Sequence, residues 1–287
     1  MKTQTITLNG LRHKIYSWGN PKKPKLFLIH GWLDTGASFD FLCRHLQDRF
    51  HCLAPDLRGY GKSEHTSNAL GYFFYEYVAD VHALFQRFSP EEPVRLLGHS
   101  LGGAISGFYA GSFPERVSRF INVEGFAFRA HPPERGPERM RAWIENVGAQ
   151  RFNTFKSLKD FADRLVRNNP RLPPERALFL AKHLAKKGKG GMTMAADPKH
   201  KIHEPALFTK PNVYAFWEKI RARCLLVSAD QTNMNEWVKA EDFRKEMEER
   251  FRHFPKDTKQ VEIKDCGHMV HHEKPEVLAK AILSFLK

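Results

Sequence analysis

The 287-residue chain has only four cysteines, Cys43, Cys52, Cys224 and Cys266, each standing alone. No CxxC pair and no Cys/His ligand spacing accompanies them. That excludes a disulfide framework and a cysteine-built zinc site, and predicts buried thiols in a reducing compartment. No apolar run approaches the ~20 residues that span a bilayer. The opening Met-Lys-Thr-Gln-Thr-Ile-Thr has one lysine but no apolar stretch behind it. No secretory leader is therefore expected, and a cytoplasmic location is. Internal repeats, low-complexity segments, a P-loop and a GxGxxG fingerprint are also missing, so no nucleotide cofactor is expected.

Negative charge is scarce. Against 46 Lys and Arg stand 32 Asp and Glu, a formal charge of +14. Such a balance favours nucleic acid or an anionic surface as partner. The basic residues are nevertheless spread along the chain, and their densest cluster, Lys182, Lys186, Lys187 and Lys189, is modest. Without an RNP, zinc-finger or helix-turn-helix signature, no specific nucleic-acid partner is expected. Hydrophobic residues at 41% and charged residues at 27% exclude a disordered chain or a coiled coil.

What is present reads as alternating strands and helices. Residues 3–8 and 11–18 alternate around Asn9-Gly10, a hairpin signal. Continuous apolar runs at 25–30, 51–55 and 94–97 have the character of strands buried on both faces. Further strands are predicted at 117–123, 223–228 and 260–263. Helical periodicity marks 75–88 and the segment from Pro275. This order implies an α/β fold, a mostly parallel sheet with helices on both faces. Residues 126–213 interrupt it with helix-like segments at 138–147, 158–167 and 174–186 and no good strand. The expected organisation is a core of 1–125 and 214–287 with an inserted helical cap at 126–213.

Gly98-His99-Ser100-Leu101-Gly102 matches G-x-S-x-G, with an apolar strand leading in and a helical pattern leading out. The glycines suit a sharp strand-to-helix turn, where side chains two residues either side of Ser100 would collide. Ser100 is the nucleophile candidate, and a serine hydroxyl needs a base within reach. A serine so activated attacks a carbonyl carbon, the chemistry of acyl transfer.

With this turn, the chain resembles the α/β-hydrolase superfamily over nearly its whole length, and more narrowly its serine hydrolase-like, esterase-type members. The resemblance also rests on His30-Gly31-Trp32, on the loop from Pro55 through Asp56, Arg58, Gly59 and Gly61 to Ser63, and on Gly267-His268 followed by Glu273 and Pro275. It implies His268 as the base and an oxyanion hole from the backbone N–H groups of Trp32 and Leu101. It gives His30 an orienting role and makes His271 and His272 loop or helix-cap residues. Relatives most often carry the acid after the strand at 223–228, but there the matching position is Thr232, with Asp230 two residues early. The other known station is the end of the preceding strand, where Glu124 stands beside Gly125, whose flexibility would turn the carboxylate towards His268. Glu124 is preferred and Asp230 kept as the alternative. Phe126, Phe128, Trp143, Met192, Met194, Phe216 and Trp217 are candidates to line an apolar pocket. The expected function is hydrolysis of small to medium apolar carboxylic esters or thioesters through a Ser-His-acid triad, with no metal and no organic cofactor. The alternative is a non-catalytic ligand-binding protein on the same fold.

Overall fold

The computed structural model describes residues 1–202, 204–206 and 208–287. Among the described residues, eleven strands run in chain order: β1 Lys2–Leu8, β2 Leu11–Trp18, β3 Lys25–Ile29, β4 His51–Pro55, β5 Val94–His99, β6 Val117–Val123, β7 Thr154–Phe155, β8 Ala185–Gly188, β9 Gly191–Met194, β10 Arg223–Ala229 and β11 Lys259–Ile263. Eight form one sheet in the order β1-β2-β4-β3-β5-β6-β10-β11. The β1–β2 hairpin turns at Asn9-Gly10, both at positive φ, and β1, β2 and β4 pair antiparallel. From β4 to β11 every pairing is parallel.

The helices are α1 Asp40–Leu46, α2 Phe74–Phe88, α3 Leu101–Ser112, α4 Gly136–Asn146, α5 Leu158–Asn168, α6 Pro174–Leu184, α7 Lys210–Trp217, α8 Asn235–Val238, α9 Phe243–Phe251, α10 Val270–Glu273 and α11 Pro275–Phe285. The two-residue period of the strands divides the core into two layers. Phe27, Ile29, Leu96, Phe120 and Leu226 meet α2, α3 and α7 on one face. Leu26, Leu28, Leu97, Ile121, Leu225 and Val227 meet α1 and α11 on the other. Both faces are covered, so the middle of each of these strands is apolar on successive residues, not on alternate ones. Each fully buried Leu or Phe contributes ~1.5–3 kcal/mol over leaving it in water.

The segment between β6 and β10 is not purely helical. β7, β9 and β8 form a small antiparallel sheet there, beside α4, α5 and α6. The expectation of no strand failed because β7 has two residues and β8 is Ala-Lys-Lys-Gly, with no apolar period to read. α5 and α6 bury Phe161, Leu180 and Leu184 together with Phe41 of the core. The expected boundary at 213 falls inside α7, whose Val213 and Trp217 belong to the main core.

Candidate active site

The chain turns left from β3 to β4 and right from β5 to β6, so the order reverses between β3 and β5. Open α/β sheets hold their ligands at such a point, beyond the carboxyl ends of the strands. Ile29 pairs with Gly98, which sets the loop after β3 beside the turn after β5.

Ser100 occupies that turn with φ +52° and ψ −120°, a strained conformation of the kind that costs ~1–3 kcal/mol and persists where its surroundings impose it. The surroundings here are tight. A Cβ at Gly98 would lie 2.3 Å from the Gly102 carbonyl, and one at Gly102 would lie 2.0 Å from the Ile29 carbonyl. The Ser100 N–H donates to the Val123 carbonyl at 2.9 Å, tying the turn to β6. A Cβ at Gly31 would lie 3.1 Å from Ser100 Cβ, so Trp32 follows directly beside the serine. Neither the Trp32 nor the Leu101 backbone N–H meets a hydrogen-bond acceptor among the described residues. His30 fixes the loop: its Nδ1–H donates to the Gly31 carbonyl (2.8 Å) and its Nε2 accepts from Leu57 N–H (2.9 Å).

Glu124 ends β6 at φ +57° and is completely buried. Its Oε2 lies 3.1 Å from His268 Nδ1. Ala229 N–H donates to Oε1 at 2.8 Å, and the Thr232 hydroxyl donates to Oε2. The bend that turns the carboxylate is at Glu124 itself and not at Gly125. Gly125 serves close approach instead, because a Cβ there would lie 2.5 Å from Gly103 Cα. Burial pushes the Glu124 carboxyl up to about 8, against the opposing donors Thr232 and Ala229. Burial also brings His268 down to about 4, with Glu273 and Asp34 pulling the other way. Asp230 is elsewhere: it is exposed and accepts from Cys266 N–H at 3.2 Å. Of the two candidate acids, the structure brings Glu124 and not Asp230 into hydrogen-bond reach of His268.

Ser100 and His268 open onto one cavity of about 560 Å³, and no hydrogen bond joins them. Such contacts are commonly long before substrate binds. Its walls are Phe74, Phe108, Phe128, Phe208, Val213 and Trp217, with Trp237 at the mouth against His268 at 4.7 Å between ring centres. Phe128 and Trp217 were expected there. Phe126, Trp143, Met192, Met194 and Phe216 are not among the lining residues. Phe126 is fully buried against Phe251, and Phe216 stacks on Phe108. Met192 and Met194 lie on β9, and Trp143 lies on α4 near Phe73. Helical or strand spacing marks a side chain as apolar but not which enclosure it enters. Trp237 and Phe208 went unnoticed, and Thr232 was read only as the residue at the usual acid position and not as a donor to Glu124. Only Thr232 had a signal, its place in the register after β10.

His271 and His272 are not loop residues. Both are buried in α10, and burial holds both imidazoles well below their ordinary range. His99 Nε2–H donates to the His268 carbonyl at 2.9 Å and so braces the loop that carries His268. The Arg58 loop is architectural: its guanidinium meets both Asp80 oxygens and Glu76 at 2.6 Å. The segment between β6 and β10 grips the one bearing His268. Arg176 donates to the His272 carbonyl (2.6 Å), and Asn169 donates to Glu273, which accepts from Gly267 N–H (2.7 Å). No helix among the described residues is long and apolar enough to cross a membrane.

Residues 24–275 match the family model described as alpha/beta hydrolase fold. A Drosophila melanogaster protein described as a probable serine hydrolase is 30% identical over 72% of this chain and 65% of its own length. Human serine hydrolase-like protein 2 is 27% identical over 94% of this chain and 89% of its own. Among solved structures, a thioesterase domain from the curacin biosynthetic pathway superposes with a TM-score of 0.87 at 22% identity, covering 99% of both chains.

Proposed function

The chain belongs to the α/β-hydrolase family, and from that premise we propose that it is a serine hydrolase of carboxylic esters or thioesters with small to medium apolar acyl groups. The carrying observation is the Glu124–His268 hydrogen bond at the rim of the cavity that also exposes Ser100. In this reading Ser100 Oγ attacks the acyl carbonyl while His268 Nε2 takes its proton. Glu124 holds the Nδ1–H tautomer and stabilises the imidazolium. The free N–H groups of Trp32 and Leu101 receive the oxyanion, and each such donor is worth ~10²–10³ in turnover. His268 then returns the proton to the leaving alcohol or thiol, and water releases the acyl group by the same steps in reverse. The aromatic and aliphatic walls around Ser100 favour an apolar acyl chain over a sugar or peptide.

A fluorophosphonate probe and p-nitrophenyl esters of graded acyl length test the proposal together. Wild type should label at Ser100 and turn over the shorter esters. Ser100→Ala should lose labelling and at least ~10³-fold of turnover, with its melting temperature nearly unchanged. Folded wild type that neither labels nor hydrolyses any ester refutes the reading.

A further inference from the structure

Behind the catalytic cavity, three metal-ligating side chains converge from opposite ends of the chain. Asp34 follows β3, and His271 and His272 are consecutive in α10. His271 Nε2 is 3.2 Å from Asp34 Oδ2, and His272 Nε2 is 3.8 Å from the same oxygen. Ser38 Oγ lies 2.9 Å from Asp34 Oδ2 and 3.3 Å from His271 Nε2. All four residues are buried. Among the described residues, this is the one place where three His, Cys, Asp or Glu side chains bring ligand atoms within 4.8 Å of one another.

Hydrogen bonding explains only part of this arrangement. His272 Nε2 and Asp34 Oδ1 are buried and meet no hydrogen-bond partner. Burying such groups unpaired carries their full desolvation penalty, and a cluster of them calls for a missing occupant. A four-coordinate ion with bonds of about 2.0–2.1 Å to nitrogen and oxygen spaces its ligands about 3.3 Å apart. The four separations above scatter around that value. A cation at their centre would take His272 Nε2 as a ligand and can draw in the second Asp34 oxygen.

We propose that Asp34, His271, His272 and Ser38 form a buried site for one divalent transition ion of the zinc class, distinct from the acyl-transfer groups. Two imidazole nitrogens with hydroxyl and carboxylate oxygens suit Zn²⁺ or Co²⁺ and not Ca²⁺ or Mg²⁺, which take mostly oxygen. Asp34 also borders the cavity of Ser100, which provides the way in. A dication against a single carboxylate leaves net positive charge behind His268. The His99 ring lies between, 4.3 Å from His271 and 4.9 Å from His268 between ring centres. That charge opposes formation of the His268 imidazolium, so occupancy slows acyl transfer.

The full chain, treated with chelator and dialysed, is titrated with Co²⁺ and read by visible absorption, then with Zn²⁺ by calorimetry. One ion per chain should bind, with the intense d–d bands of four-coordinate cobalt. His272→Gln and Asp34→Asn should each weaken binding at least tenfold, and Zn²⁺ should lower turnover in wild type. Wild type that gives no such bands, or only the weak absorption of six-coordinate cobalt on surface histidines, overturns the proposal whatever the variants do. Bands unchanged in a folded His272→Gln chain overturn it as well. The optical readout does not depend on ester turnover, so it stands apart from the proposed activity.

Discussion

Thr232→Val should move the pH dependence of turnover without lowering its ceiling. The Thr232 hydroxyl donates to Glu124 Oε2, the oxygen that also faces His268 Nδ1. Valine keeps the shape and deletes the donor. A hydrogen bond to a charged group is worth ~1.5–3 kcal/mol, and Thr232 is only half-buried, so water restores part of it. About 1.4 kcal/mol remains, which equals one pH unit. The sign follows from the state being stabilised. The hydroxyl favours the carboxylate, so its loss raises a carboxyl that burial already pushes to about 8. Glu124 is faced by Thr232, Ala229 N–H and His268, with Glu273 nearby raising it further. His268, brought down to about 4 by burial, titrates below that window. Turnover should therefore rise from neutral to alkaline pH, and Thr232→Val should shift that rise upward by about one unit. Below the rise the variant loses ~10-fold, and above it the variant matches wild type. The assay is kcat/KM against pH for one p-nitrophenyl ester on both proteins. An unshifted limb, or equal loss at every pH, refutes the argument that Thr232 acts through the carboxylate.

Three further outcomes follow from the same geometry. Glu124→Gln should reduce kcat ~10⁴-fold while Asp230→Asn keeps most activity, and the opposite ranking of the two amides would return the acid to Asp230. Phe208→Ala, which enlarges the cavity at Ser100, should shift preference among the graded esters towards longer acyl chains by ~0.8 kcal/mol per accommodated methylene. Uniform loss at all lengths would place Phe208 in packing alone. Arg58→Ala leaves Asp80 buried beside His13 without its guanidinium, and should cost ~3–5 kcal/mol in urea unfolding. A loss under ~1 kcal/mol would mean that solvent reaches Asp80.

The parallel sheet and the turn at Ser100 were legible because their signals are local. β3, β5 and β10 carry short apolar stretches, Leu26–Ile29, Leu96–Leu97 and Cys224–Val227, and Gly98, Ser100 and Gly102 answer to one backbone constraint. Glu124 was legible as a candidate from its place at the end of β6. Register alone preferred it to Asp230, and the structure adds that Asp230 accepts from the Cys266 N–H. The pocket was not legible. Met192 and Phe208 are equally apolar in sequence, and only the path of the cap separates the one on β9 from the one facing Ser100. Nor was the Asp34–His271 contact, which joins positions 237 residues apart and has no spacing to betray it.

The grip of the cap on the loop of His268 bears on how this scaffold can be rebuilt. A lid that makes no contact with the loop of a catalytic residue can be exchanged without disturbing that residue. Here Arg176 and Asn169 lock onto His272 and Glu273, a few positions from the imidazole itself. A transplanted lid lacking those two anchors would slacken the segment bearing His268 while leaving Ser100 seated in its turn. If His268 acts as proposed, chimeras of this chain should therefore lose turnover through it first, and a successful graft must carry the two anchors with it.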